Sequence, residues 1–222
     1  MAKYNVVELF ESINGEGMRA GELAVFVRLR GCNLQCSYCD TKWACVCDAP
    51  CREMTEEEIC QKILETGIQN VTITGGEPLI QKDIEVLLRR LAREKTLRVE
   101  IETNGSVSVT PYRQTEYSPV FTLDYKLPGS GMESQMCMDN FRSVRETDTV
   151  KFVVFGESDL ERSLEIIQEY DLSRRCHVIL SPVYGQIQPE RMVEFMRDNH
   201  LNRVRLQLQL HKIIWEPDQR GV

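Results

Sequence analysis

Short β-branched strands alternate with amphipathic helical segments through most of this 222-residue sequence. Helical spacing predicts helices near Asp83–Arg93, Asp159–Tyr170 and Pro189–Asn199, and a Thr55/Glu58 capping box predicts another. Strands that alternate with helices build parallel sheets, and a complete eight-stranded barrel usually needs a longer chain. We therefore expect an α/β fold, a partial parallel β/α barrel, with residues 1–222 as one domain. The predicted strands are Leu23–Arg30, Val71–Thr74, Arg98–Glu102, Val120–Asp124, Val150–Phe155, His177–Ser181 and Arg203–Leu208.

Polar and glycine-rich segments follow these strands where each one ends. Ligands of parallel α/β folds bind at the carboxyl ends of the strands, so we expect one catalytic rim built from these segments. The segments are Gly31–Thr41, Gly75–Pro78, Thr103–Gly105, Asp124–Lys126 and the stretch that begins at Ser181.

Composition limits which cell compartment and which classes of partner we expect for this protein. The net charge of −7 argues against a nucleic-acid-binding surface, which needs concentrated Lys and Arg. The sequence shows neither a signal-peptide pattern nor an apolar run as long as a membrane span, so we expect a cytoplasmic protein without a membrane partner. Nine cysteines are present, seven of them between Cys32 and Cys60. Disulfide frameworks belong to small secreted domains, so these cysteines are better explained as metal ligands.

Three of the cysteines form a compact C-x3-C-x2-C motif at Cys32, Cys36 and Cys39. Three thiolates can hold three irons of a cubane cluster and leave the fourth iron open to a substrate. A structural zinc site needs four ligands, so the alternative is a zinc site completed by Cys45, Cys47 or a histidine.

The motif, with Tyr38 before its last cysteine, resembles the signature of the radical S-adenosylmethionine superfamily. Gly75–Pro78 and Glu102–Gly105 resemble two further elements of that superfamily, in the same order. The resemblance implies a 4Fe–4S cluster on the three cysteines and S-adenosylmethionine as the second cofactor. It also implies that the backbone of Gly75–Pro78 and the Glu77 side chain contact the methionine amino group, and that Glu102–Gly105 lies near the ribose.

A closer resemblance covers nearly the whole chain. The segments Leu9–Gly17, Phe26–Arg28 and Cys39–Thr41 are similar to those of the 7-carboxy-7-deazaguanine synthase family. That family converts 6-carboxy-5,6,7,8-tetrahydropterin to 7-carboxy-7-deazaguanine by radical ring contraction with loss of ammonia, a step toward deazapurine nucleosides such as queuosine. The resemblance implies a lyase, with Mg²⁺ as a further cofactor, flavodoxin or ferredoxin as electron donor, and a homodimer.

The same resemblance assigns the site residues, with no catalytic side chain beyond the cluster and S-adenosylmethionine. Thr41 would bind Mg²⁺. The substrate pocket would be lined by Ile13, Asn14, Gly15, Arg28, Thr74, Gln209 and His211. Cofactor contacts would come from Tyr38, Asp40, Gly76, Glu77, Glu102, Asn104, Asp124, Tyr125, Lys126, Ser181, Pro182, Val183 and Tyr184.

Two other functions fit parts of the sequence. A glycyl-radical-activating enzyme would use the same cofactors on a protein substrate, and a zinc-stabilised interaction module would use the cysteines structurally. Asn14 is a departure from the family, in which many relatives carry Gln. A second departure is a set of later cysteines, which either hold a second metal or cluster by chance in an insertion: Cys45, Cys47, Cys51 and Cys60.

Overall fold

The computed structural model describes residues 2–115 and 117–222, so Met1 and Glu116 of the predicted domain lie outside the described residues. Nine strands within these ranges form one sheet. They are β1 (Lys3–Ile13), β2 (Leu23–Leu29), β3 (Arg52–Thr55), β4 (Asn70–Gly75), β5 (Arg98–Thr103), β6 (Val120–Tyr125), β7 (Thr149–Val154), β8 (His177–Pro182) and β9 (Val204–Leu206).

The helices lie mostly between consecutive parallel strands. They are α1 (Lys42–Cys45), α2 (Glu56–Thr66), α3 (Ile84–Leu91), α4 (Met138–Arg142), α5 (Glu157–Glu169), α6 (Leu172–Arg175), α7 (Pro189–Asp198) and α8 (His211–Ile214). Short 3₁₀ turns occur at Pro78–Ile80, Thr110–Tyr112, Pro128–Ser130 and Glu133–Gln135. No helix in the described part of the chain is long and apolar enough to cross a membrane.

The strand order is β3-β1-β2-β4-β5-β6-β7-β8-β9, and every pair from β2 to β9 is parallel. Because β3 and β9 do not pair with each other, the sheet stays open, which confirms the predicted partial barrel. The prediction missed the antiparallel strands β1 and β3, which extend one edge. The short helix α1, which lies between β2 and β3, was not predicted either. A four-residue strand or helix is too short to give a periodic signal.

The two faces of the parallel sheet differ in chemistry. One face is apolar and packs against the helices, with Val71, Ile73 and Ile101 at most 1% exposed. On the opposite face β4 presents Thr72 and Thr74, while β5 presents Glu100 and Glu102, because successive side chains of a strand point to opposite faces. The polar face leaves the interior of the partial barrel available for polar ligands.

Local sequence determines where α2 begins and ends. Glu58 N donates to Thr55 Oγ1 at 3.2 Å, and Thr55 N donates to Glu58 Oε2 at 2.8 Å, which confirms the predicted capping box. The helix stops at Gly67, whose φ of 70° lies in the left-handed region that favours glycine. The three other predicted helices are confirmed as α3, α5 and α7.

Candidate active site

One cavity lies at the carboxyl ends of the parallel strands and gathers most of the predicted site residues. The cysteine loop and the turns after β4, β5 and β6 all contribute to its wall. The predicted residues that line it are Ile13, Gly15, Arg28, Cys32, Cys36, Tyr38, Cys39, Asp40, Thr41, Thr74, Gly76, Glu102, Asn104, Asp124, Lys126, Val183, Tyr184, Gln209 and His211.

The three cysteines of the motif face this cavity as free thiols. Leu34 N lies 3.4 Å and Asn104 Nδ2 3.6 Å from Cys32 Sγ. The neighbouring Cys45 thiol is the main cause that lowers the pKa of Cys32 to about 6, and it likewise lowers the pKa of Cys39 to about 6. Both groups are therefore suited to the thiolate form that binds metal.

Two glycines allow the turn after β4 to pack directly against the cysteine loop. A Cβ on Gly75, whose φ is 145°, would clash with the backbone of Leu29, and a Cβ on Gly76 would lie 2.8 Å from Cys32 Cβ and closer still to the Gly31 carbonyl. Glu77 N donates to that same carbonyl at 2.9 Å. Only glycine permits this approach.

Glu77 points away from the cavity and is 0% exposed. Its carboxylate accepts hydrogen bonds from Leu79 N at 2.9 Å, Thr103 Oγ1 at 2.8 Å and Asn104 N at 2.7 Å. Burial raises its pKa to about 7. The geometry therefore makes this side chain the link between the turn after β4 and the turn after β5, whereas the sequence-based prediction placed it on the cofactor.

A buried network of opposite charges forms the floor of the cavity. Lys151 Nζ lies 3.2 Å from Asp124 Oδ1 and 3.3 Å from Glu16 Oε2, and Lys126 Nζ lies 2.8 Å from Asp124 Oδ2. Burial alone would raise the pKa of Asp124, but the two ammonium groups outweigh it and lower that pKa. Burial likewise opposes the charge of Lys151, but the carboxylates, Asp124 foremost, hold its pKa well above the usual value. The site thus keeps Lys151 as an ammonium.

Arg28 and Thr74 are neighbours across the pairing of β2 with β4, so their side chains stand side by side at the cavity wall. Arg28 Nε lies 3.2 Å from Glu8 Oε2, and its guanidinium lies 5.9 Å from the ring centres of both Phe10 and Trp43. These contacts orient a planar fork that suits a carboxylate.

Gly15 and His211 meet at the other side of the cavity. A Cβ on Gly15 would lie 2.6 Å from His211 Nδ1, and Leu210 N donates to the Gly15 carbonyl at 3.1 Å. Burial lowers the pKa of His211 below 6.5, so the imidazole is neutral at pH 7. A neutral imidazole both donates and accepts hydrogen bonds.

Five predicted residues, among them Glu77, do not line the cavity but support it from behind. Asn14 Oδ1 accepts from Thr72 Oγ1 at 3.0 Å, and Ser181 Oγ donates to Glu16 Oε1 at 2.7 Å. Tyr125 is 1% exposed, and its hydroxyl lies 2.8 Å from Glu133 Oε1. The five are Asn14, Glu77, Tyr125, Ser181 and Pro182.

Several residues of the cavity wall were not predicted from the sequence. Glu16 belongs to the segment Leu9–Gly17, which is similar to the family, and Lys151 is a polar residue in an otherwise apolar strand. Both features could have indicated a place in the site. Trp43 carried no such signal. Neither did the segment 217–222, which lines the cavity and places Arg220 4.1 Å from the Trp43 ring centre.

The later cysteines do not form a second metal centre. Among the described residues, no three His, Cys, Asp or Glu side chains converge as ligands of one ion. Cys51 Sγ lies 3.5 Å from Asn5 Oδ1, Cys60 is buried in the core on α2, and Cys47 is exposed. Only Cys45 of this set lines the cavity.

Comparison with known proteins shows the family of the chain. A profile of the Radical SAM superfamily matches residues 26–113. The 7-carboxy-7-deazaguanine synthase of Clostridium acetobutylicum is 54% identical over 219 residues, which cover 99% of each chain. The enzyme of the same name from Leptospira interrogans is 38% identical over 241 residues, covering 99% of this chain and 98% of its own. This chain belongs to the 7-carboxy-7-deazaguanine synthase family.

The fold is shared with a solved structure. The crystal structure of QueE from Escherichia coli matches with a TM-score of 0.71 at 22% identity, over 93% of this chain and 94% of that one. Membership of the 7-carboxy-7-deazaguanine synthase family replaces the two alternatives, the glycyl-radical-activating enzyme and the zinc-stabilised module.

Proposed function

We propose that this chain converts 6-carboxy-5,6,7,8-tetrahydropterin to 7-carboxy-7-deazaguanine with loss of ammonia, as a radical S-adenosylmethionine lyase. The observation that carries the proposal is a single cavity that joins the three cluster thiols to Arg28 and Thr74. Relatives that match along the whole chain bear the name of this activity. The product is a precursor of deazapurines such as queuosine.

The donors in the cavity fit a cubane cluster. A cubane spreads three thiolates over three irons, so its ligands stand farther apart than the ligands of one ion. The three motif thiols line one cavity, and the lowered pKa values of Cys32 and Cys39 favour the thiolate form that iron binds. The proposed ligands are Cys32, Cys36 and Cys39.

When bound, the cluster and S-adenosylmethionine supply the 5′-deoxyadenosyl radical that begins the reaction. The protein orients the reactants: Arg28 would bind the pterin carboxylate, and Gly15 and His211 would border the ring. Glu102 lines the cavity, and burial raises the pKa of its carboxyl, while Lys151 remains charged. Trp43 and the segment 217–222 would exclude water from the reacting atoms.

Thr41 fits a limited role in magnesium binding. It lines the cavity, and its Oγ1 lies 3.6 Å from Cys39 Sγ. Mg²⁺ in enzymes keeps several waters and takes few protein ligands beside its substrate. Thr41 would therefore supply one oxygen ligand to Mg²⁺, and water and the substrate carboxylate would supply the others.

The remaining assignments rest on the family resemblance and on the chemistry of the chain. The electron donor is a flavodoxin or ferredoxin, and the enzyme is a homodimer formed by one domain per chain. The nine free cysteines suit the reducing conditions of the cytoplasm.

Anaerobic turnover tests the proposal. Reconstituted protein is supplied with S-adenosylmethionine, reductant, Mg²⁺ and the pterin, and the products are read by mass spectrometry. We expect 7-carboxy-7-deazaguanine from the wild type and from the control Cys47→Ala, which removes an exposed thiol, and none from Cys36→Ala. Formation of 5′-deoxyadenosine without 7-carboxy-7-deazaguanine would refute the pterin substrate, and full turnover by Cys36→Ala would refute the cluster assignment.

A further inference from the structure

Glu8 stands opposite Arg28 because the pairing of β1 with β2 shifts its register. Val6 pairs with Leu29. The next pair joins Glu8 to Arg28, so two steps along β1 match one step along β2. Such a bulge re-aims the side chains that follow it. With regular pairing Glu8 would stand opposite Val27, which is 0% exposed and belongs to the apolar core. The bulge therefore brings the Glu8 carboxylate to the cavity face of the sheet.

Glu8 makes a directional contact with Arg28. Its Oε2 accepts a hydrogen bond from Arg28 Nε at 3.2 Å, and the side chains of Glu8 and Arg28 are only 19% and 16% exposed. Among the described residues, this is the one hydrogen bond that the Arg28 side chain makes. The N–H groups on Nη1 and Nη2 are therefore left for a ligand in the cavity, which both residues line.

The aromatic neighbours of Arg28 do not set the direction of its guanidinium. The group lies 5.9 Å from the ring centres of both Phe10 and Trp43, and a cation is attracted by the whole face of a ring. Such contacts hold the guanidinium in place but leave open which of its edges faces the cavity. Glu8 decides this, because it engages Nε. A carboxylate needs two parallel N–H donors for paired hydrogen bonds, and the terminal pair is the one that stays free.

We infer that Glu8 is a positioning residue, which turns Nη1 and Nη2 of Arg28 toward the carboxylate of the pterin. The inference rests on the proposed function, since it takes Arg28 as the residue that binds this carboxylate. Glu8 acts through Arg28 without touching the substrate, and no proton moves between them. The role requires the acceptor oxygen of Glu8 rather than its negative charge. It therefore survives in a neutral side chain that keeps an acceptor oxygen and is lost in one that has none.

Steady-state turnover of the pterin by the reconstituted holoenzyme separates the acceptor oxygen from the charge. Glu8→Gln and Glu8→Leu are both neutral and similar in size, but only Gln keeps an oxygen that can accept from Arg28 Nε. We expect kcat/KM of Glu8→Leu to be about three- to tenfold lower than that of Glu8→Gln, the factor that one hydrogen bond typically supplies.

A second comparison tests whether Glu8 acts through Arg28. In an Arg28→Lys background, Glu8→Gln and Glu8→Leu should have equal kcat/KM, because an ammonium group has no planar fork to orient. Glu11→Leu is the matched control, since it replaces an exposed carboxylate on the same strand, and it should turn over like the wild type.

Iron analysis and product identification separate the outcomes. Equal kcat/KM in Glu8→Gln and Glu8→Leu would overturn the inference and leave the proposed function intact, and so would a difference that persists in the Arg28→Lys background. If Glu8→Leu holds no cluster, Glu8→Ala takes its place as the variant without an acceptor. Loss of the cluster from both, with Glu8→Gln intact, would also overturn the inference, because Glu8 would then be needed for folding. A wild type that forms 5′-deoxyadenosine but no 7-carboxy-7-deazaguanine would overturn the proposed function together with this inference.

Discussion

Lys151→Met should destabilise the protein strongly, because it removes the cation that bridges two largely buried carboxylates. The Lys151 side chain is 8% exposed, and its partners Glu16 and Asp124 are 10% and 20% exposed. Breaking a buried ion pair from one side costs about 3–5 kcal/mol, since a charge is left without a partner. Each kcal/mol lowers Tm by about 2–4 °C in a protein of this size. We therefore expect Tm to fall by about 6–20 °C.

Anaerobic thermal unfolding of the holoenzyme, followed by far-ultraviolet circular dichroism, measures this effect against the control Lys62→Met on the exposed face of α2. The raised pKa of Lys151 means that its contribution is complete below about 10.5 and is lost only as pH rises through its higher folded value. The lowered pKa of Asp124 means that its contribution is complete above about 3.8 and is lost as pH falls through its lower folded value. The difference between variant and wild type should therefore stay constant from about pH 5 to 9. A Tm equal to that of the control, or a difference that changes across this range, would refute the reasoning.

Three further predictions concern the cavity wall. Gly76→Ala should prevent cluster assembly, because its Cβ would meet Gly31 and Cys32, whereas Gly156→Ala has open space and should assemble normally; iron analysis of both variants checks this. Arg28→Lys should raise KM for the pterin about tenfold or more, because an ammonium group cannot make the paired hydrogen bonds that a planar guanidinium makes to a carboxylate. An unchanged KM would show that Arg28 does not bind the pterin carboxylate. Burial lowers the pKa of His211, so kcat/KM should hold steady at neutral pH and fall only below about pH 6.5, a fall that the pH profile of His211→Gln should lack.

Parallel strands and long helices were predictable from the sequence because each carries a periodic signal. The helices α3, α5 and α7 show apolar stripes, and a capping box marks the start of α2. The leading strand β1 was missed because it pairs antiparallel at the sheet edge and lacks the βα pattern that identified the others. The helices α1 and α8 have four residues each and are fixed by tertiary contacts rather than by their own sequence.

The cavity rim was predictable because motif residues follow strand ends, but the floor was not. Strand β6 alternates Thr122, Leu123 and Asp124, and β7 alternates Thr149, Val150 and Lys151, so the polar face was present in the sequence. Whether that polar face becomes the floor of a cavity depends on the curvature of the sheet, which encloses the face and is not encoded in a local sequence pattern.

The directions in which individual side chains point could not be predicted from the sequence. Glu77 belongs to a recognisable motif, yet its carboxylate turns inward to three protein donors. The place of Cys45 on the cavity wall likewise depends on the hydrogen bond from Gly31 N to the Ala44 carbonyl, which no spacing rule predicts.

The central claim is that cluster, S-adenosylmethionine and pterin share the cavity at the carboxyl ends of the parallel strands. Anaerobic crystals of the reconstituted enzyme with S-adenosylmethionine and pterin, measured at the iron absorption edge, test it most directly. We expect iron bonded to Cys32, Cys36 and Cys39, with the pterin carboxylate on Arg28 in the same cavity. Iron on other cysteines, or pterin bound away from Arg28, would contradict it.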